Sequence, residues 1–241
     1  MLRPEDFFDL DGYEFRGVFD GCEYVWQALN RIGAFALNYI TEVDGETTIF
    51  GEVRPGAYID DKHSVVIGKG TVVEPGAYIQ GPAIIGEHCQ IRHGAYIRGD
   101  VIVGNKCIVG HASELKNAIM LDGAQAPHFA YVGDSILGRK SNLGAGTKLS
   151  NVPAISERDE KTGKRPTIKL EINGKVYDTG LQKFGAVIGD GSQTGCNTVT
   201  NPGTLLGKRT VVYPNVSLRK GYYPPHRIIK LKQGIEIVER T

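Results

Sequence analysis

Ile67, Val73, Ile79, Ile85, Ile91, Ile97, Val103, Val109, Leu115 and Leu121 stand six residues apart without a miss. If about a quarter of residues are Ile, Leu or Val, ten such hits in succession arise by chance about once in a million. Gly or an acid often follows the aliphatic residue, as at Gly68, Gly86, Gly104, Gly110 and Asp122. Four residues after it comes something small: Thr71, Ala77, Ala83, Cys89, Ala95, Val101, Cys107 and Ser113. A hexapeptide period of this kind marks an all-β parallel β-helix.

Each hexapeptide supplies one short strand and one corner, so three of them close a coil of 18 residues around a three-faced prism. The aliphatic residue points inward and stacks on its equivalent one coil away, about 4.8 Å along the axis. The small residue also faces the narrow interior. Glycine relieves strain at corners that need unusual backbone angles, and the 32 glycines fit a structure full of them. A lone coil cannot bury its aliphatic side, so many coils are needed.

The formal net charge of +1 gives no reason to expect a nucleic-acid or membrane-surface partner. No apolar run approaches the roughly 18 residues of a membrane span. Met1 to Leu10 is acidic and aromatic, without the basic-then-apolar order of a signal peptide. The expectation is a cytoplasmic protein. Of the four cysteines, Cys89 and Cys107 lie 18 apart at the small inward position, where they read as reduced structural thiols stacked in the core. No C-x-x-C spacing supports a disulfide or metal pair.

The pattern divides the chain into an N-terminal helical cap (1–50), a β-helix (51–220) and a tail (221–241). Within the cap, Val25, Leu29, Ile32, Phe35 and Ala36 fall at helical spacing, which predicts an amphipathic helix over Glu23–Ile40. Docked on the open end of the β-helix, it would cover exposed strand edges. Hexapeptides begin near Val53 and Ile59, slip at the Asp60–Lys62 corner and lock in phase at Ile67. The phase breaks at Pro127 and restarts at Leu137, Leu143 and Leu149. The repeat vanishes over an insert, 152–182, then resumes at Ile188, Thr194, Thr200, Leu206, Val212 and Leu218. Thr167–Ile172 and Lys175–Thr179 around Asn173-Gly174 read as a β-hairpin. A long loop on a regular solenoid is a functional device or a tolerated surface insertion. In the tail, Tyr222–Pro225 reads as a stiff turn, and Ile228–Leu231 and Ile235–Val238 as two short strands.

The most informative segment is Ala124–Asn142 followed by Leu143-Gly144-Ala145-Gly146-Thr147, with Phe184–Gly189 beyond the insert. These stretches, within roughly residues 67–220, resemble the acetyltransferase domain of bacterial bifunctional glucosamine-1-phosphate enzymes. They are more similar still to the archaeal bifunctional sugar-1-phosphate nucleotidylyltransferase and amino-sugar acetyltransferase. The resemblance implies a left-handed β-helix, a homotrimer with sites between neighbouring prisms, and acetyl-CoA as co-substrate. By position, His128 matches the general base. Arg98 and Lys116 match basic residues that hold the sugar phosphate, Lys183 a lysine near the substrate that is expected to join them, and Tyr131 and Asn142 residues that contact the sugar. Ala145 and Asn151 match the region of the acetyl group and pantetheine. Cys196 and Pro214 stand where bacterial relatives place Ser and Ala near CoA, which puts the fine geometry of that site in doubt.

The same residues carry readings of their own. An acetyl thioester is already activated, so no covalent nucleophile is needed and no metal is required. A neutral imidazole can take the proton of the attacking amine. Without the resemblance His128 is better read as an exposed or trimer-interface histidine with no chemistry. Arg98 and Lys116 alone are solvated charges. One coil apart on one face, they repel unless an anion lies between them, which favours a phosphate site. His93 and His111, also 18 apart, raise a zinc reading, but the paired histidines of zinc-binding β-helix relatives are missing. No nucleotidyltransferase motif precedes the repeats, so the expectation is one reaction: acetyl transfer to glucosamine 1-phosphate or galactosamine 1-phosphate. A non-catalytic scaffold for a separate nucleotidyltransferase, or an acyltransferase for a nucleotide-linked amino sugar, stands as the alternative. Lys220, Lys230 and Lys232 are further candidates for the CoA phosphates.

Overall fold

The computed structural model describes residues 2–60 and 64–239. From Thr48 to Ile229 the chain winds as a left-handed parallel β-helix. The first face stacks Thr48–Ile49, Val65–Ile67, Ala83–Ile85 and Val101–Val103. It continues through the second halves of Glu114–Met120 and Tyr131–Leu137 to Ala186–Ile188, Thr204–Leu206 and Gly221–Tyr223. The second runs from Glu52–Val53 through Ile108–His111, Gln125–His128 and Asn142–Leu143 to Ile228–Ile229. The third runs from Tyr58–Asp60 through Tyr96–Arg98 and the first halves of the two long strands to Ser217–Leu218.

Register between coils aligns like with like. Ile67, Ile85, Val103, Met120, Leu137, Ile188 and Leu206 form one inward column, all fully buried. The small positions hold Ala, Cys, Ser and Thr. A buried hydroxyl is costly unless hydrogen-bonded, and carbonyls of the next coil supply the partners. Thr71 donates to Gly86 O (2.6 Å), Ser113 to Ala126 O (2.9 Å) and Ser192 to Gly207 O (2.8 Å). Cys89 and Cys107 are free and stacked, the Cys107 N–H lying 3.4 Å from Cys89 Sγ.

The phase break precedes Leu121 and is not at Pro127. Val101, Ile102 and Val103 lie opposite Ala118, Ile119 and Met120, a step of 17 residues. Met120 therefore takes the inward place and Leu121 joins an outer apolar layer. The cause is the corner between the third and first faces. It holds Gly99 and Asp100 in one coil, but only Asn117 and then only Asp134 in the next two. Both lone corner residues adopt φ 46°, which Asn and Asp tolerate better than most residues.

The ends of the repeat also differ from expectation. It begins at Thr48 and continues past 220, because Gly221–Tyr223 and Ile228–Ile229 extend the first and second faces. Tyr222 is thus in a strand, packed edge-on to Phe7 with ring centroids 6.0 Å apart, where a turn was expected. Ile235–Val238 carries no strand and is exposed. Of the expected slip at Asp60–Lys62, Asp61 and Lys62 lie outside the described residues.

The predicted N-terminal helix is two pieces, a 3₁₀ stretch Val25–Asn30 and an α-helix Ile32–Val43. Three residues per turn sets Val25 with Ala28, and Trp26 with Leu29, on one buried side. The segment does not cap the open end. It lies along the flank and covers the outward residues of the first face, Ile84, Ile102, Ile119, Ile136, Val187 and Leu205, with Phe7, Phe15, Trp26, Leu29 and Ile32. Doubled aliphatics at every third hexapeptide (Ile84-Ile85, Ile102-Val103, Ile136-Leu137, Val187-Ile188, Leu205-Leu206) are the signal for a strand buried on both sides. The insert's hairpin forms as read. Lys169–Ile172 pairs antiparallel with Lys175–Asp178 about Asn173 and Gly174, at φ 53° and 75°. Leu170 packs over Gly203, and Tyr177 lies edge-on to Tyr24 and Trp26, so hairpin and N-terminal segment form one layer. Among the described residues no helix is long and apolar enough to cross a membrane.

Trp26 is the largest fully buried side chain. Trp26→Ala is expected to cost about 3–5 kcal/mol, seen as a lower guanidinium midpoint by circular dichroism. Leu37→Ala, on the exposed side of the same segment, is expected to shift stability by no more than about 0.5 kcal/mol.

Candidate functional site

The edge between the second and third faces gathers one set of candidates. His111 lies opposite His128. The Gly146 N–H donates to the His128 carbonyl (3.1 Å), the Asn197 N–H to Ala145 O (2.8 Å) and the Asn215 N–H to Cys196 O (2.9 Å). His128, Ala145, Cys196 and Pro214 thus occupy one corner of four successive coils. Close stacking there depends on glycine: a Cβ at Gly110 would lie 1.7 Å from the Pro127 carbonyl oxygen, and one at Gly195 would lie 2.4 Å from Pro214 N. His128 is exposed beside Phe129, whose ring is 6.4 Å away and whose φ is 35°. The same edge carries His93 and His111, stacked at 6.1 Å, with His93 Nδ1 2.7 Å from the Pro75 carbonyl. Among the described residues no group of three or more His, Cys, Asp or Glu is arranged to hold a metal ion.

Arg98, Lys116 and Tyr131 alternate with the inward Ile97, Leu115 and Val132 and so project from the third face. The argument that Arg98 and Lys116 need an anion between them weakens for Arg98, which has a carboxylate partner of its own. Arg98 Nη1 donates to Glu114 Oε1 at 2.7 Å, and its guanidinium lies 5.6 Å from the Tyr96 ring. The hydrogen bond to Glu114 raises the Arg98 pKa. The chain supplies its own counter-charge.

Tyr131 is half-buried, its hydroxyl lying over Gly133, where a Cβ would come within 2.5 Å of it. Burial, then the charges of Glu114 and Asp134, push its phenol pKa up, while Asn151 and Arg98 oppose them. Asn151 sits where the insert leaves the coil, and Lys183, exposed, where it returns; the Phe184 N–H donates to Asn151 O at 2.9 Å. Asn142 lies apart, on the second face opposite Gln125 and Gln193. The second and third faces diverge from the His128 edge. One chain therefore brings together Arg98, Lys116, Tyr131 and Asn151, and separately His128, Ala145, Cys196 and Pro214, but leaves Asn142 facing elsewhere.

Sequence reasoning missed Glu114, Asn117 and Asp134. The shortened steps from Leu115 to Met120 and from Val132 to Leu137, five residues in place of six, are the signal that marks this edge. Because the Arg98–Glu114 pair is about a third exposed on each side, Glu114→Gln is expected to change unfolding free energy by no more than about 1 kcal/mol. A loss above about 2 kcal/mol in urea unfolding would contradict that account.

A family profile described as the GMPPB C-terminal domain matches residues 79–162. The bifunctional sugar-1-phosphate nucleotidylyltransferase/acetyltransferase of Sulfurisphaera tokodaii is 34% identical over 107 residues, 44% of this chain and 24% of that protein. The bifunctional protein GlmU of Methanococcus maripaludis strain C7 is 35% identical over 206 residues, 86% of this chain and 46% of that protein. Among solved structures, the polysialic acid O-acetyltransferase OatWY aligns over 80% of this chain and 94% of its own, at 11% identity and a TM-score of 0.38. The chain spans less than half the length of the curated relatives named here. Coil and matched sequence together make it a hexapeptide-repeat left-handed β-helix that resembles the bifunctional sugar-1-phosphate nucleotidylyltransferase/acetyltransferases of archaea.

Proposed function

We propose that this chain transfers an acetyl group from acetyl-CoA to the amine of an amino-sugar 1-phosphate, glucosamine 1-phosphate or galactosamine 1-phosphate. The observation that carries the reading is the His128 edge. An exposed imidazole shares one corner column with Ala145, Cys196 and Pro214 and borders a face bearing Arg98, Lys116 and Tyr131. The relatives' names, which include acetyltransferase and sugar-1-phosphate activities, support it.

In this reading the cofactor's pantetheine arm lies along the corner column and the sugar phosphate against the third face. The amine attacks the thioester carbonyl as His128 Nε2 or Nδ1 takes its proton. The carbonyl oxygen becomes an oxyanion, and the Ala145 N–H, one coil from His128, is its donor. Collapse expels the CoA thiolate, which recovers the proton from the imidazolium. Arg98, Lys116 and Lys183 hold the phosphate, Tyr131 and Asn142 orient the sugar, and no metal enters. Asn142 reaches such a ligand only from a second copy, because its own face turns away from Arg98. With the first face covered by the N-terminal segment and the hairpin, the second and third faces are left for neighbours, which fits a homotrimer.

One observation favours a second reading, a non-catalytic scaffold for a separate nucleotidyltransferase: Arg98 is already paired with Glu114. A scaffold need not bind CoA. The test is thiol release from acetyl-CoA with each sugar phosphate. His128→Ala is expected to slow it by about 10²–10⁴-fold, and sedimentation is expected to give three copies. A folded wild-type assembly with no turnover and no CoA binding by calorimetry would sink the enzymatic reading.

A further inference from the structure

Asp134 is buried and has no part in the chemistry above. It is the lone residue of its corner, with φ 46° and 5% exposure. Its carboxylate accepts a hydrogen bond from Asn117 Nδ2 of the preceding coil at 2.9 Å, and from Asn151 Nδ2 of the following coil. Its carbonyl accepts the Gly185 N–H at 2.8 Å, where the insert rejoins the coil. Two amide donors converge on it from opposite sides. A carboxylate accepts from both; an amide in its place would turn a donor against one of them.

These contacts reach four candidate residues from separate segments. Asn117 follows Lys116 directly. The Asn151 side chain opposes the rise of the Tyr131 phenol pKa, and the Asn151 carbonyl holds the Phe184 N–H next to Lys183. Glu114 and Arg98 are the other charged groups that act on Tyr131. The partners of Asp134 therefore lead to Lys116, Tyr131, Asn151 and Lys183 together.

We propose that Asp134 is a positioning residue: by fixing which way the Asn151 amide points, and by pinning the return of the insert, it presets the geometry of the sugar-phosphate face before any ligand arrives. The kinetic consequence rests on the acetyltransferase reading; the linkage between Asp134, Asn151 and the insert's return does not.

The test uses two variants and two readouts. Asp134→Asn keeps size and tolerance of the left-handed backbone but opposes donor to donor. It is expected to raise KM for the amino-sugar 1-phosphate about tenfold, the worth of one oriented hydrogen bond. It is also expected to speed amide hydrogen exchange in peptides covering 183–186. The double variant Asp134→Asn with Asn117→Asp restores an acceptor for the new amide and leaves its oxygen for Asn151. It is expected to recover both properties while moving the negative charge one coil away. Unchanged KM and exchange in Asp134→Asn, or equal damage in the single and double variants with the assembly intact, would overturn the proposal. Altered exchange that the double variant repairs, in a protein without acetyl transfer, supports the positioning role and rejects the acetyltransferase reading instead.

Discussion

Every coil is hydrogen-bonded to the next through parallel strands about 4.8 Å apart, and this ladder leaves no freedom in how coils align. A residue's neighbour above or below is fixed by the number of residues in one circuit. Where the circuit is 18, position in the sequence maps directly onto position on the prism, as with Tyr78 and Tyr96. Where a corner loses one residue, everything downstream is re-phased by one, and alternation within strands would turn inward side chains outward. The chain absorbs each loss at a single corner, in a left-handed residue, and resumes with an apolar residue inside.

That constraint explains why the irregularities fall together. Asn117, Asp134 and the departure of the insert after Asn151 occupy the same edge in three successive coils. The shortened corners also run Glu114–Met120 and Tyr131–Leu137 unbroken from one face to the next. The stretch of prism beside them is thus tied across coils by side chains as well as by backbone.

Legibility followed periodicity. Inward positions such as Ile79, Ile97 and Val212 were plain because the narrow interior admits one kind of residue at one spacing. The hairpin was plain because Asn173-Gly174 answers a local backbone requirement. Leu121 misled, since an aliphatic residue at the right spacing says nothing about which side of the sheet needs it when a second apolar layer lies outside. The N-terminal segment misled for the same reason: its apolar residues were visible but their destination was not. Glu114 was invisible as a partner of Arg98 because the pair is 16 residues apart and meets across coils.

The N-terminal segment has a mechanical consequence. A solenoid is a one-dimensional stack in which each repeat feels only its neighbours, so it can fray from either end. Here a single strap runs along the first face from Ile84 to the last coils. Phe7 meets Tyr222 near the last coils, and Lys208 Nζ donates to the Glu5 carbonyl. The helix Ile32–Val43 lies against Ala83–Ile85, Val101–Val103 and Glu114–Met120, the third to fifth strands of the same face. Coils far apart in the stack therefore share contacts with one continuous piece of chain. Loss of a terminal coil strips cover from the strap, and loss of the strap exposes an apolar stripe along the prism. Such shared contacts favour unfolding as one body over the loss of separable turns.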